Sequence, residues 1–173
     1  MSPPVMLVDG YNIVGAWRSL QDVIANGDLA MAREQLVEIL TSYSAYRGLH
    51  TTIVFDAYNS LAPAVTEEVT EYLKLHYTEY RQTADSYIEK VCAQLRRQRR
   101  IIVVTSDRAQ HITTTGFGAE WMSAMVLEQD VRAAEQGIRR KQRSKSANHR
   151  RLHSVMNEEV KRKLTDWRSQ LSQ

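Results

Sequence analysis

Acidic residues in this chain recur at the ends of short apolar runs. "LVD" ends at Asp9, "VFD" at Asp56 and "IIVVTSD" at Asp107. Each run is rich in β-branched and other apolar residues, which is typical of a strand buried on both faces of a parallel sheet. Because the carboxyl ends of parallel strands share one edge, where ligands bind, we expect the three acids to converge on one cleft.

A cluster of carboxylates predicts a bound cation, since like charges repel and raise carboxyl pKa values unless a cation lies between them. Asp85 joins the cluster if the helix that begins after Thr83 starts beside the same edge, and Glu89 lies one turn further on. The ligand set is all oxygen, without a Cys or His cluster, which favours Mg²⁺ or Mn²⁺ over Zn²⁺. Such an ion would polarise a phosphoryl oxygen and deliver a hydroxide.

The acids also have structural interpretations. Asp9 precedes Gly10 and could belong to a turn. Asp85 and Asp107 could stabilise helix starts, where carboxylates are favoured anyway. Glu89 could be a solvated acid of a second helical turn. Three runs that end in the same way favour the shared site.

Two polar residues near the acids have the same double interpretation. Asn12 could position a water or a phosphate, or it could complete an Asx-type turn. Ser106 could hydrogen-bond a phosphate or cap a helix. His111 lies in a polar stretch and is expected at the surface, because a metal mechanism does not require it.

Other site chemistries lack their residues. A phosphatase that phosphorylates a strand-end aspartate needs a second acid two positions on, where Tyr11 stands. The sequence contains no G-x-x-x-x-G-K-[ST] loop, no dinucleotide-binding glycine spacing and no G-x-S-x-G motif. Cys92 is predicted to point into a helix core, so it is not a candidate nucleophile.

Strand and helix patterns alternate along the chain. Buried strands are predicted at residues 5–8, 51–55 and 101–105, and a strand nearer the sheet edge at residues 73–78. Helices are predicted from Asp28 to near Gly48, from Pro63 to near Glu71, after Thr83 over residues 84–97, and over residues 121–136. This order predicts an α/β layered fold with right-handed crossovers, with residues 1–137 as one domain.

Charge divides unevenly between this domain and the rest of the chain. Residues 138–173 carry a net charge of +8 and residues 1–137 carry −5, within a total of +3. Residues 138–153 contain no acid and are predicted to be a mobile basic linker. Asn157 is the predicted cap of a C-terminal amphipathic helix that docks on the body or a partner. A basic tail on an acidic body suggests that one part holds a polyanion.

Composition limits the class of protein. The 173 residues are 43% hydrophobic, enough for one domain with a core. The single cysteine excludes an internal disulfide and fits a reducing compartment. No apolar run approaches the roughly 18 residues of a membrane span, and no signal peptide is recognisable. We expect a soluble cytoplasmic protein without a membrane partner; the sequence does not indicate its oligomeric state.

Four motifs resemble a known family. "LVDGYNIVGAW", "VFDAYN", "TADSYIEK" and "VVTSDRAQ" occur in that order, as in the NYN domain, a branch of the PIN-like ribonucleases. The sequence is most similar to the YacP-like bacterial group, which includes ribosome-associated endoribonucleases. The resemblance extends from Val5 to near Gly137, and a basic arm with a terminal helix also fits the group.

This resemblance implies a three-layer α/β/α PIN-like fold and divalent-metal hydrolysis of single-stranded RNA, expected to be mRNA in association with the ribosome. By motif, Asp9, Asp85 and Asp107 would bind Mg²⁺ or Mn²⁺, with Asn12 beside them. Asp56 would border the same cleft, and Asp56 and Glu89 are further candidate ligands. The alternative is a binding module with a nuclease-like fold that docks on RNA or ribosomes without cutting, although clustered carboxylates would weaken phosphate binding.

Basic and polar residues are expected to hold the RNA backbone without reading its sequence. The candidates are Ser106, Arg108, Arg139, Arg140, Lys141, Arg143, Lys145, Arg150 and Arg151. Tyr11 or Tyr58 could stack a base, with packing as the alternative for each.

Overall fold

The strands of this protein form one six-stranded sheet. The structure, a computed structural model, describes residues 3–56, 63–96 and 98–144 together with Arg162. The strands are β1 (Val5–Asp9), β2 (His50–Phe55), β3 (Val65–Thr70), β4 (Leu73–Tyr77), β5 (Ile101–Val104) and β6 (Glu120–Met122). Their order is β3-β4-β2-β1-β5-β6, and only the β3–β4 pairing is antiparallel. The predicted mainly parallel sheet is confirmed.

Helices cover both faces of the sheet. They are α1 (Gly10–Ala16), α2 (Arg18–Ala25), α3 (Leu29–Arg47), α4 (Ala84–Leu95), α5 (Arg108–Gly116) and α6 (residues 124–134). On one face, α1, α2, α3 and α6 bury apolar side chains against Met6 and Val8. On the other face, Ile88 of α4 packs against Leu7 of the sheet. The alternation of inward side chains along β1 thus builds a core on each face, giving the expected three layers.

Local capping explains where two predicted helices begin. The Oδ1 atom of Asp28 accepts a hydrogen bond from the Met31 backbone N at 2.7 Å, and α3 ends at Gly48 in the left-handed region with φ of 66°. The Oγ1 atom of Thr83 accepts a hydrogen bond from the Ser86 backbone N at 3.2 Å at the start of α4. Both predicted helix starts are confirmed.

Two predicted helices were partly or wholly wrong. The segment that follows Pro63 is strand β3, which pairs antiparallel with β4 at the edge of the sheet. All six of its residues are exposed, so its sequence lacks the alternation of an ordinary half-buried strand. Trp121, the predicted start of the last helix, lies in β6 opposite Val103, and helical backbone begins at residue 124.

The chain divides into two units, Met1–Ala134 and Glu135–Gln173. In the second unit, residues 135–144 are helical, so the predicted linker is wrong for residues 138–144. Arginine, lysine and glutamine are strong helix formers, which explains this difference. Lys145, Arg150, Arg151, Tyr58 and the predicted C-terminal helix lie outside the described residues, apart from Arg162. The domain boundary after residue 137 stays a prediction.

One membrane prediction can be compared with the helices that the structure describes. Within the described ranges, no helix combines the length and the apolar character needed to span a bilayer.

Candidate active site

The acids lie where the strand order of the sheet reverses. From β1 the chain passes through α1, α2 and α3 to β2 on one side, and later returns through α4 to β5 on the other side. Asp9 is the last residue of β1, and Asp107 comes shortly after β5. The carboxyl edge at this switch point is where ligands bind in open α/β sheets.

Asp9 is fixed by the turn from β1 into α1. A Cβ atom at Gly10 would overlap the ring of Phe55, so only glycine allows the chain to begin α1 at this position. The Asp9 Oδ1 atom accepts a hydrogen bond from the Asn12 backbone N at 3.1 Å, which caps α1. The Asn12 Oδ1 atom in turn accepts a hydrogen bond from the Ser106 backbone N at 2.7 Å. Asn12 therefore ties the β1 turn to the loop that carries Asp107.

Asp107 and Asp56 also hold helix starts. The Asp107 Oδ1 atom accepts hydrogen bonds from the backbone N of Ala109 at 2.6 Å and of Gln110 at 3.1 Å, capping α5. The Asp56 Oδ1 atom accepts a hydrogen bond from the backbone N of Ala84, the first residue of α4. The helix-start interpretation is thus correct for Asp107, and Asp56 holds the start of α4 although Thr83 is its cap residue. Each carboxylate uses only its Oδ1 atom in these hydrogen bonds.

Asp85 has a side-chain partner that sequence reasoning missed. Its Oδ1 atom accepts a hydrogen bond from Gln110 Nε2 at 2.6 Å, which links the first turn of α4 to α5. Gln110 is only 2% exposed, and its Oε1 atom is buried without a hydrogen-bond partner in the described part of the chain. Most buried polar atoms have a hydrogen-bond partner, so this oxygen is an unsatisfied acceptor beside the acid cluster.

The charges of neighbouring carboxylates raise the pKa values of Asp9 and Asp85. Burial raises the pKa of Asp9 to about 6, partly opposed by the Asn12 N–H, with further increases from the charges of Asp85, Asp56 and Asp107. Burial also raises the pKa of Asp85, and the charges of Asp107, Asp56 and Glu89 add to that increase. Sequence positions far apart in the chain therefore form one electrostatic cluster.

The cluster has no compensating cation in the described ranges. None of the ion pairs found there involves Asp9, Asp56, Asp85 or Asp107. Nor do the hydrogen bonds between described residues use the Oδ2 atoms of these four side chains. Ionising all four groups together is unfavourable, so the site favours binding of an external cation.

The remaining candidate residues lie in different positions. Glu89 is half-buried one turn after Asp85 and contributes charge to the cluster. Ser106 and Arg108 are exposed beside Asp107 at the start of α5. Tyr11 packs edge-on against Phe55, with ring centroids 5.2 Å apart.

The second unit carries the other described candidates. Arg139, Arg140, Lys141 and Arg143 are exposed residues of helical backbone.

The donor chemistry of the cluster fits a hard divalent cation, because Mg²⁺ and Mn²⁺ prefer carboxylate, amide and water oxygens. Two observations support this fit: the Oδ2 atoms that face no donor among described residues, and the orphaned Gln110 Oε1 atom. In the described ranges, however, no three carboxylate, imidazole or thiolate groups are already arranged as a metal-binding cluster.

The mainly parallel α/β sheet, together with the family match, shows a nuclease-like fold of the PIN type. Residues 6–169 match the family model of the YacP-like NYN domain, and the chain belongs to that family. The resemblance found in the sequence is therefore confirmed.

Relatives in Bacillus subtilis agree with this assignment. "Uncharacterized protein YacP" of strain 168 is 32% identical over 166 residues, which cover 95% of this chain and 96% of the relative. A crystal structure of Rae1 (YacP) matches with a TM-score of 0.71 and 31% identity, covering 97% of this chain and 95% of that one. The W164L mutant of Rae1 matches with a TM-score of 0.69 and 34% identity, covering 81% of each chain.

Proposed function

We propose that this protein is an endoribonuclease that hydrolyses phosphodiester bonds of single-stranded RNA with the help of Mg²⁺ or Mn²⁺. The observation that carries this proposal is the cluster of four carboxylates at the switch point, without a cation partner among the described residues. Its place in a nuclease-like family supports the same chemistry.

Asp9, Asp85 and Asp107 would hold the ion, with Asp56 and Glu89 as further candidates. When bound, such an ion supplies a water nucleophile of lowered pKa and stabilises charge on the phosphoryl oxygens. Asn12 holds the Asp9 turn and the Ser106 loop in register through its two hydrogen bonds. Gln110 orients the Asp85 carboxylate.

Basic residues would hold the substrate through its phosphates, which carry no sequence information. Arg108 and Ser106 are exposed beside the acid cluster and could contact a phosphate there. Arg139, Arg140, Lys141 and Arg143 add positive charge in the second unit. Lys145, Arg150 and Arg151 extend the same basic stretch of the sequence. We propose mRNA, presented in association with the ribosome in the cytoplasm, as the substrate.

The test is cleavage of a labelled single-stranded RNA by the full-length chain with Mg²⁺, with Mn²⁺ and with EDTA. We expect cleavage that requires the metal and falls on the order of 1,000-fold in Asp9→Asn and in Asp85→Asn, because metal-assisted charge stabilisation contributes several kcal/mol. Cleavage that persists in EDTA, or survives both substitutions, would overturn the proposal.

A second function is favoured by one observation, namely that no described group of three ligands is already arranged for a metal. The protein would then bind RNA or ribosomes through its nuclease-like fold without cutting. Undiminished RNA binding together with no cleavage at any Mg²⁺ or Mn²⁺ concentration would support this alternative.

The basic residues of the second unit provide a separate prediction. Replacing Arg139, Arg140, Lys141 and Arg143 by glutamine should weaken RNA association and flatten its dependence on salt. Each lost phosphate contact reduces the slope of log K against log salt by about 0.7 for a single strand. The measurement is a salt titration of binding in EDTA, and an unchanged slope would mean that these residues do not contact RNA.

A further inference from the structure

A partly exposed tryptophan lies close to the acid cluster. Trp121 is in β6, the short strand at the edge of the sheet, and its side chain is 43% exposed. Trp17, by contrast, is 2% exposed and packs in the core. Tryptophan is enriched at interfaces, because it combines a large apolar ring with a polar N–H group.

Two contacts hold the Trp121 ring in place. Its Nε1 atom donates a hydrogen bond to the Thr105 backbone O at 2.9 Å. Its ring is stacked on that of His111, with centroids 4.2 Å apart and an angle of 18° between the planes. A ring fixed in this way loses little side-chain entropy when a flat ligand stacks on it.

Both contacts lie next to Asp107 along the chain. Thr105 is two residues before Asp107, and the Thr105 Oγ1 atom accepts a hydrogen bond from the Asp107 backbone N at 3.0 Å. His111 lies one helical turn beyond Asp107, because its backbone N donates to the Asp107 backbone O at 3.0 Å. The aromatic pair and the acid cluster are thus close enough for one oligonucleotide to contact both.

We propose that Trp121, supported by His111, is a stacking site for one nucleobase of the single-stranded RNA. This proposal deepens the proposed function and rests on it for the identity of the substrate. A nucleobase fits because every base has a flat face that can stack on an indole ring, whatever its sequence. The exposed guanidinium of Arg108, at the start of the same helix as His111, is available to the backbone of that nucleotide.

The experiment compares two labelled oligonucleotides that bind the full-length chain in EDTA. One is an ordinary single-stranded RNA, and the other has the same backbone with abasic positions throughout. Trp121→Ala should weaken binding of the ordinary RNA about 5- to 150-fold, the range that corresponds to 1–3 kcal/mol for one stacked base, and should leave the abasic RNA unchanged. Trp121→Phe should keep most of the affinity, because it keeps a flat ring.

A matched control is Val65→Ala, since Val65 is also 43% exposed but lies on β3 at the opposite edge of the sheet. Fluorescence gives a second readout that does not depend on the stability of Trp121→Ala. RNA should quench tryptophan emission of the wild-type chain, and Trp121→Phe should lose that part of the quenching.

The outcomes separate this proposal from the proposed function. Equal losses for ordinary and abasic RNA, or no loss for either, overturn the stacking site even if wild-type cleavage with Mg²⁺ is intact. A base-dependent loss in a protein that never cleaves keeps the stacking site and removes the nuclease. If the chain binds no RNA and Trp121→Ala instead weakens binding of a protein partner, both proposals are overturned.

Discussion

Asp130 and the acids of the sheet edge show two ways in which this fold treats a carboxylate. In α6, the Asp130 Oδ2 atom accepts a hydrogen bond from the Tyr43 OH group at 2.7 Å, and Oδ1 pairs with the Arg47 guanidinium. Burial and the neighbouring Asp130 raise the pKa of Tyr43, so its phenol stays a donor. Asp9 and Asp85, by contrast, receive one N–H each and have no ion pair among the described residues.

The difference indicates which acids serve the fold and which are kept for a ligand. Asp130 connects α6 to α3 through a cation and a hydroxyl, so its charge is compensated where it lies. Asp9 and Asp85 are partly buried beside other carboxylates, which costs stability unless a cation is bound. A structural role alone would be served as well by neutral caps, because asparagine and serine satisfy the same backbone N–H groups.

Asp9→Asn tests whether Asp9 differs from Asp130 in lacking a compensating cation. We expect this substitution to cause the largest change in stability. The raised pKa means that the folded state favours the neutral Asp9 carboxyl. The stability that the protein gains from protonation of Asp9 is complete below the ordinary pKa of 3.8. It is lost as the pH rises through about 6. At pH 8 and without metal, asparagine should therefore stabilise the protein by up to about 3 kcal/mol, since one pKa unit corresponds to about 1.4 kcal/mol.

The measurement is chemical unfolding of both proteins in EDTA at pH 8 and at pH 4. The advantage of Asp9→Asn should shrink at pH 4, and added Mg²⁺ should stabilise only the wild type. Asparagine at position 9 can still accept the hydrogen bond from the Asn12 N–H. The measured change in stability therefore does not include the loss of the α1 cap. A variant that is less stable than wild type at pH 8 would show that Asp9 is a structural acid like Asp130.

Sequence reasoning could place the acids because strand ends are strongly constrained. Short β-branched runs such as residues 101–104 favour a buried central strand, and the structure shows this strand buried at every position. Their carboxyl ends share one edge by the geometry of a parallel sheet. Asp28 and Gly48 marked the ends of α3 by equally local chemistry.

What sequence reasoning missed depends on contacts between distant elements. The sequence around Gln110 does not indicate that its side chain donates a hydrogen bond to Asp85, because this contact requires α4 and α5 to be adjacent. The exposed strand β3 and the three-residue strand β6 carry no burial pattern of their own. In β3, the β-branched residues Val65, Thr66, Val69 and Thr70 were the available signal for a strand.

A second prediction concerns Gln110, which positions the Asp85 carboxylate through a hydrogen bond. Gln110→Leu keeps the volume but removes the Nε2 donor, so the Asp85 carboxylate loses its orientation. We expect cleavage to fall about 10- to 100-fold, as for other residues that orient a metal ligand. The Mg²⁺ concentration needed for half-maximal activity should also rise, and a metal titration of the cleavage rate measures it.

The matched control for Gln110 is Thr114→Val, because Thr114 is fully buried one turn along the same helix. Its hydroxyl donates to the Gln110 backbone O at 2.7 Å and makes no hydrogen bond to Asp85. Both variants should lose stability, but only Gln110→Leu should change the metal dependence. The same shift in both variants would mean that general loosening of α5, rather than orientation of Asp85, explains the loss.

Asp130→Asn should cause the smallest change in stability, and this change should have the opposite sign to that of Asp9→Asn. Asparagine can still accept a hydrogen bond from the Tyr43 hydroxyl, but the charge that pairs with Arg47 is gone. Since hydrogen bonds to charged groups contribute about 1 kcal/mol more than neutral ones, the protein should lose about 1 kcal/mol and keep its RNA-cleaving activity. Thermal unfolding should show a decrease of about 2–4 °C for a chain of this size. The same chemical change would thus stabilise the protein at Asp9 and destabilise it at Asp130, because Asp130 pairs with Arg47 whereas Asp9 has no ion pair among the described residues. Equal signs at the two positions would mean that the sheet-edge acids are compensated within the protein and are not held for a metal.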